Sequence, residues 1–486
     1  MRHGLAWMVC VIGLSISTAG AADEQPAPSY ETTDCGFVMT GIDLTCGFVD
    51  VPENRLKPGG RTIPVHFVRA AAVGDTPQPD PIVFLGGGPG LHATPGANGL
   101  IWDNRARLEK RDLIVVDQRG TGRSNPLDCF EHGTDDEADV VRQLFARDFF
   151  DGATFRACLL KLSTKADLAQ YTTTASVEDI EDIRRALGYA KLNLSGGSYG
   201  TRWALEYMRR HPESVRGAIL YGVAPPSELL VERVARDFQR DLELLIDACE
   251  AESACAGAYP KFRTQLKQVL AAVKKKPVDV VVRAAGEDIP VTMNYEQLVT
   301  AMRFTFYSVH QAAALPSQVA AAAEGDYAPF ANRLTALSIQ LHNLIAEGLW
   351  ASVKCAEELP FIDYDRGKRW SEGTALGMSR LDNEREICSI WPRGTIPEDF
   401  NQPVKSDIPA LLFAGEFDTA TPLELAEITA RHLTNGLLVP VANRSHWGLR
   451  GPCIEGIVDR FLESGSVEGI DSGCAATFER PPFVVN

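Results

Sequence analysis

The chain has 486 residues, 48 Lys and Arg against 64 Asp and Glu, a formal charge of −16, and 45% hydrophobic residues. That acidity argues against nucleic acid and anionic membranes, which need basic patches, and is accounted for by simple solubility. The length suits one large domain with an inserted subdomain, or two to three smaller ones, with ample apolar material for a core.

Residues 1–21 read as an export signal. Arg2 gives a positive start, 5–14 is a short apolar run, and Ala19-Gly20-Ala21 supplies a cleavage site. The run is too short to anchor the mature chain, and Val9 before Cys10 argues against a lipid anchor. The expectation is an exported protein, periplasmic or extracellular, with no membrane anchor once the signal is removed. Ten cysteines then remain: Cys35, Cys46, Cys129, Cys158, Cys249, Cys255, Cys355, Cys388, Cys453 and Cys474. An even count in an exported chain implies disulfides. Pairing of neighbours in chain order is expected, because it closes short local loops. No C-x-x-C occurs, so no metal site and no cofactor is expected.

Along the chain, 62–70 alternates like a strand and 81–85 is a short buried-strand run ending in Gly86-Gly87-Gly88-Pro89-Gly90. A second buried strand, 113–116, runs into Asp117-Gln118-Arg119-Gly120-Thr121-Gly122-Arg123-Ser124. A helix capped at Thr174 or Ser176 follows, with Val177, Ile180, Ile183 and Leu187 on one face. Next comes a strand at 192–194, the run Gly196-Gly197-Ser198-Tyr199-Gly200, a helix over 201–210 and a strand at 215–221. Such alternation predicts a mostly parallel, doubly wound α/β sheet covered on both faces. From 226 to 402 the pattern turns helical, with one amphipathic stripe through Leu230, Val234, Phe238, Leu242 and Leu245 and a hairpin turning at Gly286. Lys274-Lys275-Lys276 before Pro277 reads as a solvated helix end. Alternation returns with a strand at 410–413, a helix at 422–432, a strand at 436–441 and a helix at 454–461. The predicted layout is therefore a core from 22–225 and 403–486, interrupted by a mainly helical cap at 226–402.

The G-x-S-x-G run carries chemistry because of where it falls. A strand turning sharply into a helix holds its serine in a strained conformation with the hydroxyl at the tip, and glycines on either side leave room for the turn. With 41 glycines in the chain, the pattern alone would be weak. A serine nucleophile needs a base, and the base needs a carboxylate to orient it. His446, in Asn443-Arg444-Ser445-His446-Trp447-Gly448 after the last strand, is the expected base; His432 falls at a helix end, near the surface. Asp418, in Gly415-Glu416-Phe417-Asp418-Thr419-Ala420-Thr421-Pro422, is the expected acid, with Glu416 as the alternative. Thr421-Pro422 resembles a helix start, with Thr as cap. An oxyanion would be met by the Tyr199 backbone N–H and by one from the Gly-rich loop, Gly87 being the best single choice.

The combination GGGPG, DQRGTGRS, TTTASVEDIEDIRRALG, GGSYGTRWALEYMRRHP, GEFDTATP and SHWG resembles the proline iminopeptidase and tripeptidyl aminopeptidase family of α/β-hydrolases. The likeness covers most of the mature chain and is weakest in the insertion; Tyr199 and the tail with Cys453 and Cys474 resemble the secreted tripeptidyl aminopeptidase branch. It implies the α/β-hydrolase fold, with Ser198 as nucleophile, Asp418 as acid and His446 as base. The family usually carries a histidine where Gly86 stands. The expected activity is that of an exported serine aminopeptidase releasing one to three residues from peptide N-termini. A carboxylesterase acting on small esters with the same residues is the alternative, and a non-catalytic binding protein would be expected to lack one of the three. The substrate is thus a peptide or a small ester. Glu357 and Glu358, beside Cys355, are candidates for receiving the substrate's ammonium.

Overall fold

The structure, a computed structural model, describes Met1 and residues 27–130, 136–146, 151–342 and 344–485. The expected signal segment lies almost wholly outside the described residues. Among the described residues eleven strands follow in chain order: β1 (Glu31–Thr33), β2 (Leu44–Pro52), β3 (Thr62–Ala70), β4 (Ile82–Leu85), β5 (Leu113–Val116), β6 (Leu192–Gly197), β7 (Val215–Tyr221), β8 (Val278–Ala284), β9 (Glu287–Met293), β10 (Ala410–Gly415) and β11 (Gly436–Val441). Nine of them form one sheet in the order β1-β2-β3-β5-β4-β6-β7-β10-β11. The edge from β1 to β3, and the β3–β5 pair, are antiparallel; every pair from β5 to β11 is parallel.

The sequence explains that division. β4 (IVFL), β5 (LIVV) and β10 (ALLFAG) are buried along their whole length, as strands must be when helices cover both faces. Their side chains alternate between two cores. Val83 and Leu85 join one with the helices Thr173–Ala186 and Tyr199–Arg210, whereas Ile82 and Phe84 join another with the helix Pro452–Ser464. β9, by contrast, alternates buried and exposed residues and pairs only with β8, turning through Ala285 and Gly286, both at positive φ. That is a hairpin with one dry face.

A third core fills the helical region. It combines residues between Ala235 and Leu376 with Ala138, Val141 and Phe145 of the helix Glu137–Ala146, and with Phe483 of the tail. Meanwhile Leu349 and Val353 of the helix Glu347–Glu357, with Ile387 and Trp391, pack into the first sheet-face core. The region 226–402 therefore shares its apolar contacts with both neighbours. The five disulfides pair neighbours in chain order, Cys35–Cys46, Cys129–Cys158, Cys249–Cys255, Cys355–Cys388 and Cys453–Cys474. Among the described residues no helix is long and apolar enough to cross a membrane.

Two local expectations need correction. The helix Thr173–Ala186 is capped by Thr172, whose hydroxyl accepts from Ala175 N at 3.2 Å, and not by Thr174 or Ser176. The helix after β10 runs Leu423–Ala430 with Pro422 at the cap position, and the Thr421 hydroxyl donates to Asp418 Oδ2.

Candidate active site

β6 ends against Ser198, which adopts φ 55° and ψ −125° before the helix Tyr199–Arg210 begins. A non-glycine residue in that region is strained and persists only when its surroundings hold it. Here the Ser198 N–H donates to Tyr221 O at 2.8 Å, and Ser198 O accepts from Thr201 N and from the Thr201 hydroxyl. The turn is tight enough that a Cβ at Gly196 would run into the Gly200 carbonyl, and one at Gly200 into the Leu85 carbonyl. The flanking glycines are thus a steric requirement.

At the C-terminal end of β10 the chain turns through Asp418, fully buried. Its Oδ1 accepts from Ala420 N and Thr421 N, each at 2.8 Å, and its Oδ2 from the Thr421 hydroxyl at 2.7 Å. His446 Nδ1 lies 2.9 Å from Oδ2 and 3.1 Å from Oδ1. Burial alone would raise the Asp418 carboxyl, but the His446 ring and the Thr421 donors outweigh it and hold the group below its ordinary value. Glu416 is exposed and accepts from Asn443 N at 3.1 Å, so it braces the loop before His446 and does not meet the ring. Between the two acids, the structure brings Asp418 to the histidine.

Ser198 and His446 open on one cavity of about 520 Å³, beneath Phe304, Tyr307 and Leu341 from the helical region. Gly87 also lines it. A Cβ there would sit 3.5 Å from the Ser198 Cβ, so the Gly-rich loop lies directly against the serine. Tyr199 sends its ring inward: its hydroxyl meets Thr173 Oγ1 at 2.6 Å and accepts from Gln118 Nε2 at 3.0 Å. The DQRGTGRS loop has a related task. Asp117 accepts from Ala93 N, Thr94 N and Arg123 N, fastening that loop to the chain leaving the Gly-rich turn.

Glu357 and Glu358 are both buried, but to different ends. Glu357 lies behind the wall, taking the Thr173 N–H at 2.6 Å and the Thr173 hydroxyl at 2.8 Å, and burial pushes its carboxyl up to about 7. Glu358 does line the cavity, where Arg202 Nη1 donates to it at 2.8 Å and Lys354 Nζ at 2.6 Å. Burial opposes its charge, yet Lys354 and Arg202 draw it down to about 2. An arriving ammonium would have to compete with those two cations. Sequence reasoning missed Thr421, which donates to Asp418 through both its backbone N–H and its hydroxyl, and Tyr307. The Tyr307 ring packs edge-on to His446 with centroids 5.0 Å apart, and its carbonyl accepts from the Ser445 hydroxyl and Trp447 N on either side of the histidine. No periodicity in the sequence links residue 307 to residue 446; the link is tertiary.

With this geometry in view, the chain belongs to the alpha/beta hydrolase fold family, whose match spans residues 80–449. It is 26% identical to a tripeptidyl aminopeptidase of Streptomyces lividans, over 97% of this chain and 91% of that protein. It is 23% identical to the serine protease Hip1 of Mycobacterium tuberculosis, over 88% of this chain and 87% of that protein. A proline iminopeptidase of Neisseria gonorrhoeae is 31% identical over a shorter stretch, 31% of this chain and 36% of that protein.

Proposed function

We propose that this chain is an exported serine aminopeptidase in which Ser198, His446 and Asp418 act as one unit. The observation that carries the reading is the anchoring of His446 Nδ1 by a buried Asp418 at 2.9 Å, with Ser198 strained open on the same cavity. Asp418 holds the ring so that Nε2 faces the cavity. Nε2 takes the Ser198 proton as Oγ bonds to the scissile carbonyl carbon; the proton passes to the leaving amine as the C–N bond breaks. Water, deprotonated by the same nitrogen, then splits the acyl-enzyme and restores the Ser198 hydroxyl. The Tyr199 and Gly87 backbone N–H groups serve the developing oxyanion. The helices of 226–402, joined by 137–146, roof the site. The names of the two relatives that share most of this chain's length support peptide substrates, and the five disulfides and the N-terminal segment support export.

A fluorophosphonate probe should label the wild-type protein at Ser198 and leave Ser198→Ala unlabelled. Aminoacyl, dipeptidyl and tripeptidyl fluorogenic substrates, each free and N-acetylated, then test the aminopeptidase reading. Acetylation should abolish turnover. Equal rates on blocked and free peptides would exclude amine recognition, and turnover of nitrophenyl esters alone would make the protein an esterase.

A further inference from the structure

The polar groups of the cavity wall are unevenly spent. Glu358 is paired to Arg202 and Lys354, Glu384 to Arg380 and Lys354, and Asp237 to Arg233 and Arg236. Arg303 is the exception. It lines the same cavity, its Nε is buried without a hydrogen-bond partner, and no carboxylate among the described residues lies within ion-pair distance of it. Its guanidinium packs over the rings of Phe304 and Tyr307, at 5.4 and 5.5 Å from their centres. Elsewhere the same cavity is lined by two residues with buried hydroxyls that lack partners, Ser338 Oγ and Thr419 Oγ1. In a chain of net charge −16, a half-buried cation that faces the substrate cavity without a counter-charge is suited to pair with a carboxylate brought by a ligand.

We propose that Arg303 is a specificity-determining residue that receives a carboxylate of the substrate, either an acidic side chain or the free C-terminus of a short peptide. Its place fixes the reach. Two ring contacts, 5.5 Å from the guanidinium to Tyr307 and 5.0 Å from Tyr307 to His446, connect it to the base. An extended peptide advances about 3.3–3.6 Å per residue, so the carboxylate belongs within a few residues of the scissile bond. The guanidinium offers a planar fork of donors to it, and the aromatic faces behind hold that fork in place.

The inference rests on the peptidase reading for its substrate class, and binding separates the two. The probes are Ala-Ala-Ala with a free or amidated C-terminus, and amidated tripeptides with Glu or Gln at each position in turn. Titrated calorimetrically into Ser198→Ala protein, at least one charged member should bind about tenfold tighter than its neutral twin, the size of one charge-assisted hydrogen bond. Which pair responds identifies the source of the carboxylate. Arg303→Gln on the same background should bring that ratio below about threefold, and Arg303→Lys should restore part of it, with melting curves confirming the fold. No preference in any pair, or a preference that survives Arg303→Gln, overturns the proposal. If the Ser198 enzyme hydrolyses these peptides without charge preference, Arg303 is refuted and the aminopeptidase reading stands. If it cleaves only esters while the Ser198→Ala protein keeps the preference, the reverse holds.

Discussion

Replacing Asp418 by Asn tests the site most sharply, because the structure dictates which way the new amide turns. Oδ1 accepts two backbone N–H groups, from Ala420 and Thr421. An amide nitrogen placed there would face two donors and forfeit two charge-assisted bonds, each worth about 1.5–3 kcal/mol. The nitrogen must therefore occupy the Oδ2 position, where the Thr421 hydroxyl can rotate to accept from it. It then also points at His446 Nδ1. To accept that hydrogen bond Nδ1 must give up its proton, which moves to Nε2 and leaves the ring unable to take a proton from Ser198. The loss expected in kcat is on the order of 10⁴, or about 5.5 kcal/mol of barrier, with little loss of stability. Glu416→Gln, at an exposed side chain that accepts from Asn443 N, should change kcat by less than about threefold. Both variants are assayed on one fluorogenic peptide and one nitrophenyl ester, with circular dichroism and melting curves as the folding check. If Asp418→Asn keeps more than about a tenth of wild-type kcat, or if Glu416→Gln proves the more damaging, the acid has been misassigned.

Ser198→Ala and His446→Ala should each lower kcat by roughly 10⁵–10⁶, with little further loss in the double variant; additive losses would mean that the two act separately. Gly196→Ala should destabilise the fold by several kcal/mol, since its Cβ meets the Gly200 carbonyl, and an unchanged denaturant midpoint would contradict the turn described. Replacing Cys355 and Cys388 by Ser opens a loop of sequence separation 33 and should cost about 3–4 kcal/mol on the chain-entropy account, read as a lower Tm. Glu357 and Asp241 are both raised to about 7, burial being the main cause. A buried acid that keeps its proton while the unfolded chain has lost it makes stability fall as pH rises, here from about 4 to about 7. Glu357→Gln and Asp241→Asn should each flatten that decline in Tm, and a decline unchanged by both would refute the assignment.

The parallel strands were legible because a strand covered on both faces is an unbroken apolar run, and β5, β7 and β11 begin and end where the sequence pattern puts them, as does the alternating, antiparallel β3. Ser198, Asp418 and His446 were legible for a related reason. Each stands at a strand's end, where a turn signature in the local sequence marks it. What escaped reading depends on partners far along the chain. Glu357 reads from the sequence as an amine ligand, but its carboxyl accepts from the N–H and hydroxyl of Thr173, 184 residues away. Thr421 looked like a helix cap because Ser/Thr followed by Pro has that local meaning, and a buried carboxylate three residues earlier claimed the hydroxyl instead. Arg303 carries no local signature; its unpaired state exists only once the cavity has closed around it.

The interlocking of the helical region with its surroundings bears on how such enzymes can be recombined. Its dry interior borrows Ala138, Val141 and Phe145 from before the serine and Phe483 from the tail, while the Tyr307 carbonyl grips the loop that carries His446. A chimera that grafts residues 226–402 alone onto another hydrolase would arrive with a hole where those four side chains belong. The host, in turn, would lose the brace on its own histidine. New specificities in this scaffold are therefore better sought by changing side chains that face the cavity than by exchanging the roof as a cassette.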